Sequence, residues 1–287
     1  MNETLPSTDT PLASRKAKGS AFAVFGNPVA QSLGPLMHRA AYARLGSNAT
    51  YEAYRVDTAA EIVATIRALA LSGASVTIPF KETVMPLLDG LDPAAEAIGA
   101  VNTIVRREGR LVGYNTDGIG LIRDLEEWTQ VPGKTFVVLG AGGAARAAVY
   151  ALRQAGAIPI VVNRTEARAK ELAERFGCPW APLDAIGSLA ADGLINTTPI
   201  GMFPNPERSP LSAEEVARFG HVLDMIYNPL ETRLLKDAAA AGSAVRPGLG
   251  MFVHQGAEQI RLWLGIEPPR DVMGQAVRER LTGHAGD

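Results

Sequence analysis

The sequence has few of the residues that disulfide-linked, metal-binding or membrane-spanning proteins require. One cysteine, Cys178, in 287 residues excludes an intrachain disulfide and fits a reducing cytoplasm. The four histidines are scattered without the spacing of metal ligands, so no metal site is predicted. No apolar run approaches the roughly 20 residues that span a bilayer. A net charge of −2 gives no reason to expect a nucleic acid or a membrane surface as a partner.

What the sequence does contain indicates an α/β protein of two domains. Hydrophobic residues make up 47% and charged residues 20%, as in ordinary soluble proteins. Residues 1–19 are polar and lack the apolar core of a signal peptide, and we interpret them as a mobile tail. We predict one domain over 20–116, a second over 117–247 and a C-terminal helical segment over 248–287.

The first domain is predicted to mix strand directions. Runs at 21–25, 50–56 and 74–79 are typical of strands, and helix-like segments separate the runs. Two further runs flank residues 107–109 and indicate a hairpin. The helix after Leu33 is predicted to have an apolar side formed by Leu36, Ala40, Ala43 and Leu45.

The second domain is predicted to be a doubly wound parallel sheet. Its apolar runs at 135–139, 158–163, 193–198 and 221–227 alternate with helix-like segments, as βαβ units do. Their continuous apolar character implies burial on both faces. The last stretch, 248–264, is helical, and its pattern alone leaves open whether it packs on the first domain.

A glycine-rich loop indicates a nucleotide site in this sheet. Gly140-Ala141-Gly142-Gly143-Ala144-Ala145 directly follows the strand at 135–139 and opens a helix. The glycines allow a tight turn, and a pyrophosphate would bind the free N–H groups at the positive end of the helix dipole. Such a loop alone is a weak signal, but its strand-loop-helix context favours a dinucleotide over a simple turn.

The end of the next strand favours NADP over NAD. NAD-binding folds usually place an acidic residue about 20 positions after the loop, where it holds the ribose hydroxyls. Here Asn163, Arg164 and Thr165 end the strand, and Arg168 follows one turn later. Two guanidinium groups could bind a 2′-phosphate, and no carboxylate at this strand end would repel it. The alternative is a solvated helix start capped by Thr165.

Lys81 and Asp117 are candidates for proton transfer. A hydride-transfer enzyme needs such a group because the cofactor carries only the hydride. Lys81 lies just past a strand end, where ligands of open α/β sheets bind, and Asp117 lies at the junction of the two domains. Taken singly, each residue has an ordinary structural alternative: an exposed lysine at a helix start, and a helix N-cap.

Seven motifs in order resemble the signature motifs of the shikimate dehydrogenase family. They lie between residues 24 and 265 and cover nearly the whole chain after the tail: GNPVAQSLGPLMH, SVTIPFKE, GAVNT, YNTDG, VLGAGGAARA, NRTEAR and GLGMFVHQGA. The resemblance implies reversible reduction of 3-dehydroshikimate to shikimate with NADPH, in aromatic amino-acid biosynthesis. It also implies a mixed α/β substrate domain, a Rossmann domain and a final helix that returns to the first domain.

The resemblance also implies roles for individual residues. Lys81 would be the acid/base lysine, and Asp117 would bind the same substrate hydroxyls. The implied substrate-binding residues are Ser32, Gly34, Ser75, Thr77, Asn102, Tyr227 and Gln255. The implied cofactor-binding residues are Gly140, Ala141, Gly142, Gly143, Ala144, Asn163, Arg164, Thr165, Arg168, Met225 and Gly248.

Three positions depart from the family pattern. Gly34 replaces the second serine of S-x-S-P, which removes one hydroxyl from the carboxylate site. Ser75 stands where many members have asparagine, and Gln31 stands where histidine is common. The first two changes fall in the substrate pocket, so the hydride-transfer chemistry is predicted more firmly than the substrate.

These departures leave alternatives open. The chain could be a paralogue that acts on quinate, an amino-shikimate or another cyclic polyhydroxy acid. A non-catalytic protein that responds to NADP or a metabolite is a further alternative, although such a protein has no need of Lys81 and Asp117 together. Either a monomer or a homodimer is compatible with the sequence. His254, beside Gln255, is expected to pack in the core.

Overall fold

The structure, a computed structural model, describes residues 19–283. The predicted tail therefore lies outside the described residues, apart from Gly19. Within 19–283 the chain forms two six-stranded sheets flanked by helices, which confirms the predicted α/β class. No helix in this part of the chain combines the length and the apolar character needed to cross a membrane.

The first sheet has mixed strand directions, as predicted. Its strands are Ala21–Gly26 (β1), Thr50–Arg55 (β2), Gly73–Val76 (β3), Gly90–Leu91 (β4), Thr103–Arg107 (β5) and Arg110–Tyr114 (β6). In the order β2-β1-β3-β5-β6-β4, β1 is parallel to β2 and β3, whereas β5 is antiparallel to β3 and β6. The β5–β6 hairpin turns at Glu108 and Gly109, whose φ angles of 50° and 81° suit a tight two-residue hairpin turn.

The side of the first helix that is buried differs from the predicted one. The helices of this part are Gly34–Arg44 (α1), Ala59–Ala68 (α2) and Pro93–Ile98 (α3). α1 buries Met37, His38 and Tyr42, whereas Leu36 is exposed, so the predicted apolar side is wrong. The reason is that rings bury more area than alanines and can stack: the His38 ring lies 4.1 Å from that of Tyr51.

The second sheet is entirely parallel, and its strand order reverses at β7. Its strands are Thr135–Leu139 (β7), Ile158–Asn163 (β8), Trp180–Pro182 (β9), Gly193–Asn196 (β10), His221–Asp224 (β11) and Ala244–Pro247 (β12). They are arranged in the order β12-β11-β10-β7-β8-β9. The chain runs outward from β7 to β9 and then returns to β10 on the other side of β7. Ligands of open α/β sheets bind at such a reversal, beyond the carboxyl ends of the strands.

Helices cover this sheet and connect it to the first. The helices are Asp117–Glu126 (α4), Gly143–Gln154 (α5), Glu166–Phe176 (α6), Ala213–Val216 (α7), Arg233–Ala240 (α8), Leu249–Leu264 (α9) and Arg270–Thr282 (α10). α9 lies so close to α4 that a Cβ added to Gly120 would be 2.9 Å from the backbone nitrogen of Gln255. Residues of α9 and α10, among them Ile260 and Val277, share a buried cluster with Phe22 of β1 and Tyr42 of α1. The C-terminal helices therefore pack on elements of the first sheet.

Candidate active site

Lys81, in the part of the chain that forms the first sheet, lies beside the glycine-rich loop of the second sheet. Lys81 follows β3, and the glycine-rich loop follows β7. A Cβ added to Gly143, the first residue of α5, would lie 3.4 Å from the Cβ of Lys81. The start of α5 therefore faces Lys81, and a molecule bound at the loop would lie beside the lysine.

Lys81 and Asp117 form a largely buried ion pair. Lys81 Nζ lies 2.5 Å from Asp117 Oδ2, and the two side chains are 16% and 7% exposed. Asp117 does not act as the N-cap of α4, because Thr116 occupies that position, and the Asp117 N–H donates to Asn115 Oδ1 at 3.0 Å. The carboxylate is therefore free to face Lys81 at the positive end of the α4 dipole.

Asn102 holds the second oxygen of this carboxylate. Its Nδ2 donates to Asp117 Oδ1 at 2.8 Å. Its Oδ1 accepts from the Thr116 N–H at 2.7 Å, which fixes the orientation of the amide. Gln255 of α9 reaches the same group, with Oε1 3.4 Å from Asn102 Nδ2. The fold thus gathers Lys81, Asn102, Asp117 and Gln255, which lie far apart in the sequence.

A second group of candidates surrounds Gly34. Ser32 Oγ accepts from the Gly34 N–H at 3.2 Å, and the Tyr227 ring stacks on Phe252 at 4.1 Å. Burial raises the pKa of Tyr227, and hydrogen bonds with the Leu33 backbone and the Ser32 side chain oppose the rise. Three hydroxyls, from Ser32, Tyr227 and Tyr51, therefore lie near the position that lacks the second serine.

Tyr51 borders the space beside Gly34 directly. A Cβ added to Gly34 would lie 3.6 Å from the Tyr51 hydroxyl oxygen and 3.2 Å from Ser32 Oγ. The Tyr51 hydroxyl also contacts Ser75 Oγ at 2.5 Å. Gly34 and Ser75, the two departures in the substrate pocket, therefore lie on either side of one tyrosine hydroxyl.

Thr77 is not joined to either group. It is partly buried after β3, and its methyl group occupies the place of a Cβ at Gly26. Within residues 19–283 its hydroxyl makes no hydrogen bond to the other candidates. Hydrogen bonds and close contacts link the remaining six substrate-binding candidates, and Thr77 lies outside this network.

The glycine-rich loop has the geometry that a pyrophosphate requires. Gly140 has a φ of 123°, which favours glycine, and the Thr197 hydroxyl of the loop after β10 occupies the place of its Cβ. Ala141 leads into Gly142, the N-cap of α5, which is exposed and provides no side-chain cap. The first N–H groups of α5, at Gly143 and Ala144, are therefore left for an anion.

Two arginines lie just after the end of β8, one before α6 and one in its first turn. Asn163 Nδ2 donates to the Thr165 carbonyl oxygen at 3.0 Å, which closes the turn into α6. Arg164 and Arg168 are exposed, and neither forms a salt bridge within the described residues. Thr165 is the N-cap of α6 at this exposed helix start, as the alternative expects, but its side chain accepts no capping hydrogen bond. The two guanidinium groups fit a phosphate on the ribose.

Met225 and Gly248 lie together at the same edge of the sheet. The Met225 N–H donates to the Asn196 carbonyl oxygen and the Gly248 N–H to that of Ile226, both at 3.0 Å. A side chain at position 248 would overlap the backbone of Met225. The φ of Gly248 is −68°, so glycine is required here by close approach rather than by backbone conformation. The cofactor candidates thus follow β7 and β8 on one side of β10 and β11 and β12 on the other.

Comparison with known proteins identifies three regions of the chain. Family models match residues 24–104 (shikimate dehydrogenase substrate binding domain), 125–195 (shikimate/quinate 5-dehydrogenase) and 248–278 (shikimate 5′-dehydrogenase C-terminal domain). Shikimate dehydrogenase (NADP(+)) of Moorella thermoacetica is 44% identical over 286 residues, which cover 94% of this chain and 97% of that protein. The chain belongs to the shikimate dehydrogenase family.

Solved structures similar to this chain have the same fold. Shikimate 5-dehydrogenase of Thermus thermophilus, in complex with NADP(H) and shikimate, is 42% identical with a TM-score of 0.84 and covers 91% of this chain and 99% of its own. The ligand-free 5-ketofructose reductase of a Gluconobacter strain is 35% identical with a TM-score of 0.80, covering 92% and 99%. The shared fold therefore includes proteins named for different substrates.

Four further buried residues, which the sequence patterns did not indicate, hydrogen-bond to residues of the site. Thr103 and Thr116 hydrogen-bond to Asn102, and Gln259 and Tyr51 hydrogen-bond to Ser75. A signal existed for Gln259, because it lies four residues after Gln255 and thus on the same side of α9. Tyr51 carried no such signal, since alternation along β2 identifies a buried side chain but not its partner.

A separate polar cluster lies two helical turns along α4 from Asp117. Asp124, Glu127 and His254 place ligand atoms within 4.8 Å of one another, a grouping that sequence spacing did not reveal. Arg246 lies 2.6 Å from Asp124 Oδ1 and 3.3 Å from Glu127 Oε2, so a guanidinium already supplies the positive charge. His254 is buried, as expected, and its Nε2 also lies 3.0 Å from Glu127 Oε1.

Proposed function

We propose that this protein catalyses the reversible NADPH-dependent reduction of 3-dehydroshikimate to shikimate. The observation that carries the proposal is the Lys81–Asp117 ion pair, which faces the start of α5 and is held by a hydrogen bond from Asn102. The names of the similar proteins support NADP as the cofactor and shikimate as the substrate. A cytoplasmic location, a monomer or homodimer, and the three-part division at residues 116/117 and 247/248 form part of the same proposal.

Lys81 donates the proton in this reaction. NADPH, when bound at the glycine-rich loop, supplies the hydride. The Lys81 ammonium hydrogen-bonds to the ketone oxygen and transfers a proton as negative charge develops there. Asp117 orients the ammonium and balances its charge, and the Asn102 amide fixes the carboxylate. In the reverse direction Lys81 takes the proton back from the hydroxyl.

The other candidates hold the two ligands. Ser32 and Tyr227 bind the substrate carboxylate, Thr77 and Asn102 bind ring hydroxyls, and Gln255 reaches the substrate from α9. Free N–H groups at Gly142, Gly143 and Ala144 bind the pyrophosphate. Arg164 and Arg168 bind the 2′-phosphate, which would make NADP the preferred cofactor.

The test is an assay of the purified protein with shikimate, with NADP⁺ and NAD⁺ supplied separately. Turnover is expected with NADP⁺, and Lys81→Ala should lower kcat by roughly 10²–10⁴-fold while NADP⁺ affinity stays unchanged. Lys134→Ala, directly before β7 and at the opposite end of that strand from the glycine-rich loop, is the matched control. Normal turnover in Lys81→Ala would remove Lys81 from the mechanism. If the wild-type protein turns over none of the cyclic acids tested but binds NADP⁺, a non-catalytic role is favoured.

A second candidate substrate, quinate, is favoured by the space beside Gly34. Ser75 Oγ donates to Gln259 Oε1 at 2.9 Å, so the Tyr51 hydroxyl must donate to Ser75 and keeps only acceptor capacity. A substrate hydroxyl next to the carboxylate could donate to Tyr51 through the space that a second serine would fill. Quinate carries such a hydroxyl, whereas shikimate has a ring double bond there.

Comparing kcat/KM for quinate and shikimate tests this candidate. If quinate is the substrate, the wild-type ratio should favour quinate, and Tyr51→Phe and Gly34→Ser should each reduce the ratio. One lost hydrogen bond predicts a change of about fivefold to tenfold in the ratio. A ratio that strongly favours shikimate in the wild type, unchanged in Tyr51→Phe, would exclude quinate.

A further inference from the structure

A chain of buried hydrogen bonds runs from the Gly34 region to the Lys81–Asp117 pair. Five bonds, of 2.5, 2.9, 3.0, 2.8 and 2.8 Å, link in succession Tyr51, Ser75, Gln259, Thr103, Asn102 and Asp117. All six side chains are buried. Gln259 is the only member of the chain that comes from α9, and the proposed mechanism gives it no role.

The direction of every bond in this chain is determined. Gln259 Nε2 lies 3.5 Å from the Asn102 carbonyl oxygen, which can only accept, so the amide nitrogen faces β5. Gln259 therefore donates to Thr103 and accepts from Ser75. Thr103 must then donate to Asn102 Oδ1, leaving Asn102 Nδ2 for Asp117. All donors point towards the Asp117 carboxylate, an arrangement in which hydrogen bonds strengthen one another.

Gln259 fills a gap between two strands. Ser75 and Thr103 are directly opposite each other in the antiparallel β3–β5 pair, so their Cβ atoms lie roughly 4.5–5.5 Å apart. Both hydroxyls are short, and no direct bond joins them. The Gln259 amide accepts from one hydroxyl and donates to the other. An asparagine at position 75 would have a carboxamide long enough to donate to Thr103 without Gln259.

We propose that Gln259 is a positioning residue, which, with Ser75, holds Asn102 and Asp117 in the orientation that Lys81 needs for proton transfer. The proposal rests on the function proposed above. It requires that Gln259 act through Thr103 and Asn102 rather than by touching the substrate. Its loss should therefore lower kcat more than it raises the KM for the substrate.

Three variants test the positioning role. Gln259→Met keeps the length of the side chain but removes its hydrogen bonds to Ser75, Thr103 and the Asn102 carbonyl oxygen. It should lower kcat about fivefold to tenfold with the KM for NADP⁺ within twofold of wild type. Ser75→Asn/Gln259→Met should recover most of that loss. Gln275→Met, on the exposed side of α10, is the matched control and should leave kcat unchanged. A normal kcat in Gln259→Met, or a double variant no better than Gln259→Met, would overturn the proposal.

A readout independent of turnover separates this inference from the proposed function. The side-chain amide protons of Asn102 can be followed by NMR hydrogen exchange without substrate. Exchange should be slow in the wild type, at least tenfold faster in Gln259→Met and slow again in the double variant. If the wild type has no activity with shikimate, the proposed function fails, and this exchange pattern still supports or overturns the link from Gln259 to Asn102. Unchanged exchange in Gln259→Met would overturn the link even in an active enzyme.

Discussion

Replacing His38 with asparagine should make the fold less sensitive to acid. His38 is buried between α1 and the first sheet, where Nδ1 lies 2.9 Å from the Gly34 carbonyl oxygen and the ring stacks on Tyr51. Burial lowers its pKa from 6.5 to about 4, and the hydrogen bond to Gly34 opposes this shift. The native protein therefore keeps His38 neutral at a pH where the unfolded chain already carries the charge.

The magnitude and the sign follow from this shift. Between pH 6.5 and 4 the unfolded state binds more protons, so the free energy of unfolding falls as the pH falls. Relative to pH 7, the loss due to His38 is about 2 kcal/mol at pH 5 and about 3 kcal/mol at pH 4. Asp224 acts in the opposite sense, because burial raises its pKa to about 6, and the native state then takes up its proton first. Because these two effects partly cancel, the free energy of unfolding of the wild type should depend less on pH than His38 alone would make it.

The assay is urea denaturation of wild type and His38→Asn at several pH values. Asparagine keeps a donor for the Gly34 carbonyl oxygen, so loss of packing should shift the free energy of unfolding by a constant amount. The difference between the two proteins should change by about 3 kcal/mol from pH 7 to pH 4, in favour of the variant at low pH. Tyr51→Phe is the control, since burial raises the pKa of Tyr51 away from this range. A difference that stays constant across these pH values would refute the reasoning.

Three further predictions concern the second sheet. Gly140→Ala should lower the melting temperature measured without nucleotide, because φ is 123° and Thr197 fills the place of the Cβ; Gly142→Ala, whose Cβ would meet nothing within 4 Å, should change it little. Arg164→Gln/Arg168→Gln should raise the KM for NADP⁺ at least tenfold and leave that for NAD⁺ unchanged in steady-state kinetics. Arg246→Met should cost about 3 kcal/mol in chemical denaturation, because Asp124 is fully buried, whereas the exposed pair broken by Arg233→Met should matter little.

The sequence predicted the strand-helix order well because local patterns carry that information. Alternating and continuous apolar runs predicted nine of the twelve strands in the described residues, and the residues around Glu108 and Gly109 predicted the hairpin. The short strands β4, β9 and β12 were not predicted, because two to four residues are too few to show a pattern. The glycine-rich loop was predicted from its position between a strand and a helix. Local patterns failed at α1. They predict an apolar side made of alanine and leucine, whereas the structure buries Met37, His38 and Tyr42. Periodicity identifies a helix, but competition between sides for the same core decides which one is buried.

The sequence by itself determined the two α/β parts, the nucleotide loop and a list of candidate side chains with their family resemblance. Only the tertiary structure decided which of those side chains touch, because contacts such as Asn102 with Gln255 span 153 residues and depend on how α9 packs against α4. It also placed Tyr51 and Gln259 in the site, neither of which belongs to a motif. A hydrogen bond needs its two atoms within about 3.5 Å, and a linear pattern does not specify distances between separate elements.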